Sequence, residues 1–212
     1  MIELRCATCG VRACGLAPEE RRYPAFCPSA NGSVALKEAE ALCMQEGEDR
    51  TIALAAARTE ADGYMQDTRL EDTMDFARRI GAHHLGIASC VGLVREARIL
   101  QEILEANGFR VETVICKVGS IDKEKFGLAD EEKVRPGQFE ALCNPIGQAK
   151  LLGEAGTELN IVVGLCVGHD ALFFRHSEAP VTVLVAKDRV LAHNPAASLY
   201  LSESYYRRVR GK

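Results

Sequence analysis

The hydrophobic pattern changes period partway along the chain. Residues 34–46 (V-A-L-K-E-A-E-A-L-C-M-Q-E) and about 51–66 are rich in Ala, Leu and Glu and predict helices. Residues 68–80 predict a third, with Leu70, Met74, Ala77 and Ile80 on one face and Gly81 as a stop. Short apolar runs then alternate with helical stretches. H-L-G-I-A-S (84–89) predicts a buried strand, C-V-G (90–92) a turn and residues 93–108 a helix. Residues 109–115 predict a second strand ending at Cys116, and the charged stretch 117–140 a long loop. In 143–152, Asn144 is placed to cap a helix with Pro145 at its first position. Residues 158–165 predict a third strand ending at Cys166, followed by a short helix. Residues 180–186 predict a fourth strand, and 189–193 a hairpin return on the sheet edge.

Strands alternating with helices imply an α/β fold with a parallel sheet, Rossmann-like or flavodoxin-like, and helices on both faces. In such sheets ligands bind beyond the carboxyl ends of the strands. This α/β domain is expected over 34–212, after a cysteine-rich segment at 1–33 that shows almost no periodicity.

That first segment carries Cys6, Cys9, Cys14 and Cys27 in a C-x2-C-x4-C-x12-C-P array. It has few large apolar side chains, too few to offset its own ordering entropy. Four thiolates closing on a metal would supply the missing stabilisation. The C-x2-C-G opening suits a structural zinc knuckle, and proline after the last thiol equally suits an iron–sulfur cluster.

Four further thiols fall at one predicted edge. Cys90, Cys116 and Cys166 sit at strand ends and Cys143 just before a helix start, and A-S-C-V-G-L (88–93) resembles G-L-C-V-G-H (164–169). A thiol before a helix start is favoured as thiolate, and Lys117 beside Cys116 adds to this. Such a rim suits ligands of a second iron–sulfur cluster, a second zinc, or a reactive dithiol. Cys166 is the candidate nucleophile, with His169 as base or extra ligand and Asp170 beside it. The loop 117–140 is a candidate lid. Cys43, inside the first helix, is expected to be a core residue and the odd thiol out. His176 is a weaker candidate, His193 belongs to a turn, and His83 and His84 fall at the opposite edge.

Composition narrows the function classes. The 212 residues carry a net charge of −4 with acids and bases interspersed, which gives no basic face for nucleic acid. No stretch reaches the ~18 apolar residues of a membrane span, and M-I-E-L-R-C opens without a hydrophobic signal region. A cytoplasmic protein is therefore expected, in which nine cysteines point to metal or thiol chemistry rather than a disulfide framework. No phosphate-binding glycine loop and no G-x-S-x-G occurs, so nucleotide-dependent and serine-hydrolase activities have no motif behind them.

The ordered motifs C-A-T-C-G, F-C-P, G-I-A-S-C-V-G-L-V-R-E-A, V-I-C-K-V-G, L-C-N-P-I-G-Q-A, G-L-C-V-G-H-D-A-L-F and A-P-V-T-V-L-V-A-K-D-R-V-L-A-H-N-P resemble a prokaryotic domain-of-unknown-function family. Its members are labelled uncharacterised metal-binding proteins. The resemblance implies metal binding through Cys6, Cys9, Cys14, Cys27, Cys90, Cys116, Cys143 and Cys166, and names no reaction. The expectation is a metal-binding protein performing redox or sulfur-handling chemistry on a small molecule, alone or with a redox partner. The alternative is a non-catalytic zinc scaffold or metal carrier with buried structural thiols.

Overall fold

The computed structural model describes residues 4–30 and 32–211. The chain divides into two compact units, 1–61 and 62–212. The first contains three single-turn 3-10 helices, at Cys6–Thr8, Ala13–Gly15 and Pro18–Glu20, then α1 (Val34–Met44) and most of α2 (Glu48–Gly63). Among its described residues up to 44, Ala13 alone is buried. The cysteine-rich stretch thus has no core of its own.

The second unit carries the α/β fold. Its elements are α3 (Arg69–Arg79), β1 (His84–Ser89), α4 (Val94–Ala106), β2 (Arg110–Ile115), α5 (Pro145–Glu154), β3 (Leu159–Val163), α6 (His169–His176), β4 (Val181–Val185) and α7 (Ala196–Tyr200). Helix starts follow local chemistry. The Thr68 hydroxyl accepts from the Glu71 amide while Glu71 reaches back to the Thr68 N–H, closing a capping box on α3. Asn144 caps α5 through the Gly147 amide at 2.9 Å, with Pro145 at the first position as predicted.

The four strands are parallel in the order β2-β1-β3-β4. The chain runs outward from β1 to β2 and then returns to the other side of β1, so the order reverses between β1 and β3. Alternation sorts the strand residues onto two faces. Leu85, Ile87, Val111, Leu159, Ile161 and Val163 pack with α3 and α4 around Met74, Ala77, Leu100 and Leu104. Ala88, Val162 and the two thiols Cys90 and Cys116 pack on the other face, with Ala149 and Leu152 of α5 and Phe173 of α6. Each fully buried Leu, Ile or Phe contributes about 1.5–3 kcal/mol to holding these layers together.

The outer edge of β4 is covered at one point. Arg69 of α3 donates from Nε to the Val183 carbonyl at 2.6 Å and from Nη2 to Thr182 Oγ1 at 3.4 Å.

The hairpin return expected at 189–193 does not form. Ala192 and His193 have φ of 50° and 65°, a left-handed conformation that no strand continues. Asp188 organises a turn instead: its carboxylate accepts from the Val190 and Leu191 amides, and its own N–H donates to His193 Nδ1. Residues 117–140 are irregular, as expected, but internally tied. Buried Lys133 pairs with Glu124 and Asp130 and donates to the Gln138 carbonyl, and Lys123 pairs with Glu140 beside an isolated bridge between Asp122 and Ala141.

Candidate functional site

Three of the four rim thiols come together, and backbone register is what brings them. Ser89 pairs with Ile115 in the β1–β2 ladder, and the Cys116 amide donates to the Ser89 carbonyl at 2.8 Å. Cys90 and Cys116 are therefore cross-strand neighbours, two residues beyond Ala88 and Val114 and on the same face. Cys143 is drawn in from the other end of the long loop. The Asn144 amide donates to the Cys116 carbonyl at 2.7 Å and its side chain to the Val118 carbonyl at 3.4 Å, fixing residue 143 beside 116.

Below them lies Gln148 of α5, fully buried. Its Nε2 donates to the carbonyls of Ser89 (3.1 Å) and Val114 (2.6 Å), joining the carboxyl ends of β1 and β2 from beneath. The sequence reading missed this residue. Its signal was a lone amide on the apolar side of a helix.

The three sulfurs behave as one group. Cys116 lies in the middle, close enough to both Cys143 and Cys90 for the three to share their protons. Those contacts, with burial, push the Cys116 thiol up, so it keeps its proton. The neighbouring Cys116 thiol lowers Cys90 to about 5 against the opposing effect of burial, helped by the Gly92 amide and Lys187. Cys143 also falls to about 5, through Cys116 first and then Lys117 and His169. Backbone amides contribute as well: Val91 N–H donates to Cys116 Sγ at 3.3 Å and Gly92 N–H to Cys90 Sγ at 3.5 Å. Gly92 also leaves room above it, since Lys187 Nζ stands 3.5 Å from where a β-carbon would be.

Cys166 lies apart from this trio. After β3 the backbone turns at Gly164, φ 69°, where a β-carbon would fall on Leu93, and the strand alternation ends. The Cys166 carbonyl accepts from the amides of His169 and Asp170, and its sulfur takes a hydrogen bond from Arg189 Nη2 at 3.0 Å. Arg189 also feels the negative charge of Cys90 and Cys143. His169 is close enough to Cys143 to favour its thiolate. Asp170 is committed elsewhere: its carboxylate accepts from the Gly168 amide at 2.9 Å and the Ala171 amide at 2.8 Å, capping its own helix.

Each outer thiol therefore has its own cation: Lys187 for Cys90, Lys117 for Cys143 and Arg189 for Cys166. Lys187 and Arg189 were not foreseen. Both lie just past the carboxyl end of β4, Lys187 after the expected strand 180–186 and Arg189 at the start of the expected hairpin return. The letters A-K-D-R after an apolar run are the signal that would have found them.

Cys6, Cys9, Cys14 and Cys27 line one small cavity of about 90 Å³ in the first unit, with Tyr23, Pro24 and Phe26. The short turns bring them together: the Cys9 amide closes on the Cys6 carbonyl and the Cys27 amide on that of Pro24. Among the described residues, no three His, Cys, Asp or Glu side chains are already spaced around a common point as metal ligands. Cys43 is exposed on α1 rather than in a core. His83 and His84 lie at the amino end of β1, where Glu158 accepts both of their amides. His176 closes α6.

A doubly wound parallel sheet with a thiol group at the carboxyl ends of its strands defines the class of protein. Its family follows from comparison. The model of a family described as protein of unknown function (DUF1847) matches residues 27–184, and the chain belongs to that family. An uncharacterised protein of Methanocaldococcus jannaschii is 47% identical over 165 residues, covering 78% of this chain and 83% of its own length. The family match takes in Cys90, Cys116, Cys143 and Cys166 but stops short of Lys187 and Arg189, and it begins at Cys27, leaving Cys6, Cys9 and Cys14 outside it.

Proposed function

We propose that this chain is a cysteine-based metalloprotein whose working site is the thiol group at the strand ends. In this reading Cys6, Cys9, Cys14 and Cys27 hold zinc or an iron–sulfur cluster. Cys90, Cys116 and Cys143, with Cys166 and His169 beside them, perform redox or sulfur-handling chemistry on a small molecule. The observation that carries the reading is the convergence of three thiols from three chain segments at the place where such sheets bind ligands. Buried cysteines that serve only as packing need no cation against each outer sulfur.

At the first unit the donor chemistry fits a metal: four sulfurs around one cavity, in a stretch with one buried residue. A metal there would draw the thiols inward and supply ordering free energy that the side chains lack. A second reading puts an iron–sulfur cluster on Cys90, Cys116, Cys143 and Cys166. It is favoured by four thiols at one rim. Asp170, spent on its helix cap, drops out of the chemistry. The nine cysteines are all free thiols, which fits the reducing cytoplasm. Among the described residues no helix is long and apolar enough to cross a membrane.

Anaerobic purification followed by iron, zinc and sulfide analysis tests this. Metal is expected in the intact chain, lost on Cys6→Ser with Cys9→Ser and retained when Cys90, Cys116 and Cys143 are all changed to Ser. Loss of iron and sulfide in the latter variant would favour the second reading. Rim thiols that resist alkylation, together with full metal content in every rim variant, would instead make the chain a zinc scaffold or carrier.

A further inference from the structure

Four basic residues of the loop and helices have carboxylate partners that the cations around the thiols lack. Lys123, Lys133, Lys150 and Arg79 are each paired with a carboxylate. Among the described residues, no such ion pair involves Lys117, Lys187 or Arg189. Lys117 donates to the Ala141 carbonyl, Arg189 to a sulfur, and Lys187 stands over Gly92. Two carboxylates close by in the chain are occupied: Asp170 caps α6, and Asp188 holds the turn that carries Arg189.

Three cations come from two separate loops, the one after β2 and the one after β4, and stand beside the sulfurs without a carboxylate ion pair among the described residues. A neutral or cationic substrate would gain nothing from this. An anion would be repelled by bare thiolates but held by charge-assisted hydrogen bonds here. Of the trio, Cys90 and Cys116 are buried and Cys143 is partly exposed, so Cys143 is the sulfur a ligand reaches first.

We propose that the site takes small anionic sulfane-sulfur donors, compounds in which a transferable sulfur is bonded to an anionic sulfur-containing group, with Lys117 and Arg189 holding the anion and Cys143 accepting the sulfur. This rests on the sulfur-handling reading of the same site. With thiosulfate, the Cys143 thiolate attacks the outer sulfur. One S–S bond forms, the original S–S bond breaks, and sulfite leaves with the bonding pair. The product is a Cys143 persulfide anion, total charge is conserved, and neither oxidant nor reductant is consumed. The Cys116 thiol, in contact with Cys143, is placed to hydrogen-bond to the persulfide.

The test uses the full chain, purified anaerobically and incubated with thiosulfate. Sulfite release and a mass gain of one sulfur, mapped to Cys143 by peptide analysis, are expected, and both should vanish in Cys143→Ser. Lys117→Met and Arg189→Met should each raise the thiosulfate concentration needed for half-maximal rate by roughly tenfold or more, the loss of one charged contact. Because Lys117 also favours the Cys143 thiolate, transfer from an uncharged organic trisulfide should slow as well, but by clearly less than transfer from thiosulfate. Arg189 is exposed on a loop, so its variant separates recognition from folding. Sulfur uptake spread over other cysteines, or equal loss with the charged and uncharged donors, would overturn the proposal. If no sulfur is taken up but the rim thiols still react selectively with alkylating agents or bind iron, the donor assignment fails and the broader reading stands. Rim thiols inert to all of these sink both.

Discussion

At the scale of single residues, the behaviour of the site depends on Cys116, the sulfur least able to react. By keeping its proton, it favours the thiolate form of Cys90 and Cys143. The reactive form of a thiol is the anion. Because Cys143 is depressed to about 5, its reactivity is present above that pH and is lost as pH falls through it. Cys116→Ala removes the main cause, so the Cys143 profile should move up toward the ordinary thiol range. Alkylation at pH 6, followed by peptide mass analysis, should slow by on the order of tenfold for each pH unit of that move. Near pH 10 the two proteins should react alike. An unchanged profile would show that the sulfurs titrate independently. Strand-end placement of Cys90 and Cys116 was legible because alternation fixes the face once the strand is found. The left-handed backbone at Gly164, which ends the strand alternation before Cys166, was not legible.

At the scale of elements, α5 does two jobs. Its capping residue Asn144 ties Cys143 to Cys116, and its fourth residue, Gln148, joins the ends of β1 and β2. In Gln148→Leu the shape is nearly kept, but the Val114 carbonyl loses this donor and the Ser89 carbonyl keeps the Cys116 amide. The expected cost is about 1–3 kcal/mol, read from urea unfolding followed by circular dichroism. A loss well under 0.5 kcal/mol would mean that water or another group replaces the amide without penalty. The capping of α5 was legible in N-P-I-G, since cap chemistry is local. The role of Gln148 depends on strands 34 and 59 residues away, which no local pattern encodes.

Across the whole molecule, the order of strands and helices from residue 84 onward followed from hydrophobic period, because a parallel crossover needs the sequence strand–helix–strand. The stretch after β4 did not. R-V-L-A-H has strand-like letters, yet Asp188 captures the amides that a strand would have offered to a neighbour. That local competition is why two of the three cations went unseen. It also leaves β4 as the last strand of the sheet, with nothing beyond it in the strand order.

An unpaired strand edge is a template on which other chains can assemble. The contacts of Arg69 with Val183 and Thr182 place a charged side chain across that template and occupy one of its acceptors. Arg69→Ala should therefore leave the fold and the thiols intact but lower the concentration at which molecules begin to associate edge to edge. Light scattering across a concentration series would reveal this, and identical curves for the two proteins would count against it. A guanidinium far from the chemistry would then set how crowded the protein can become before it aggregates.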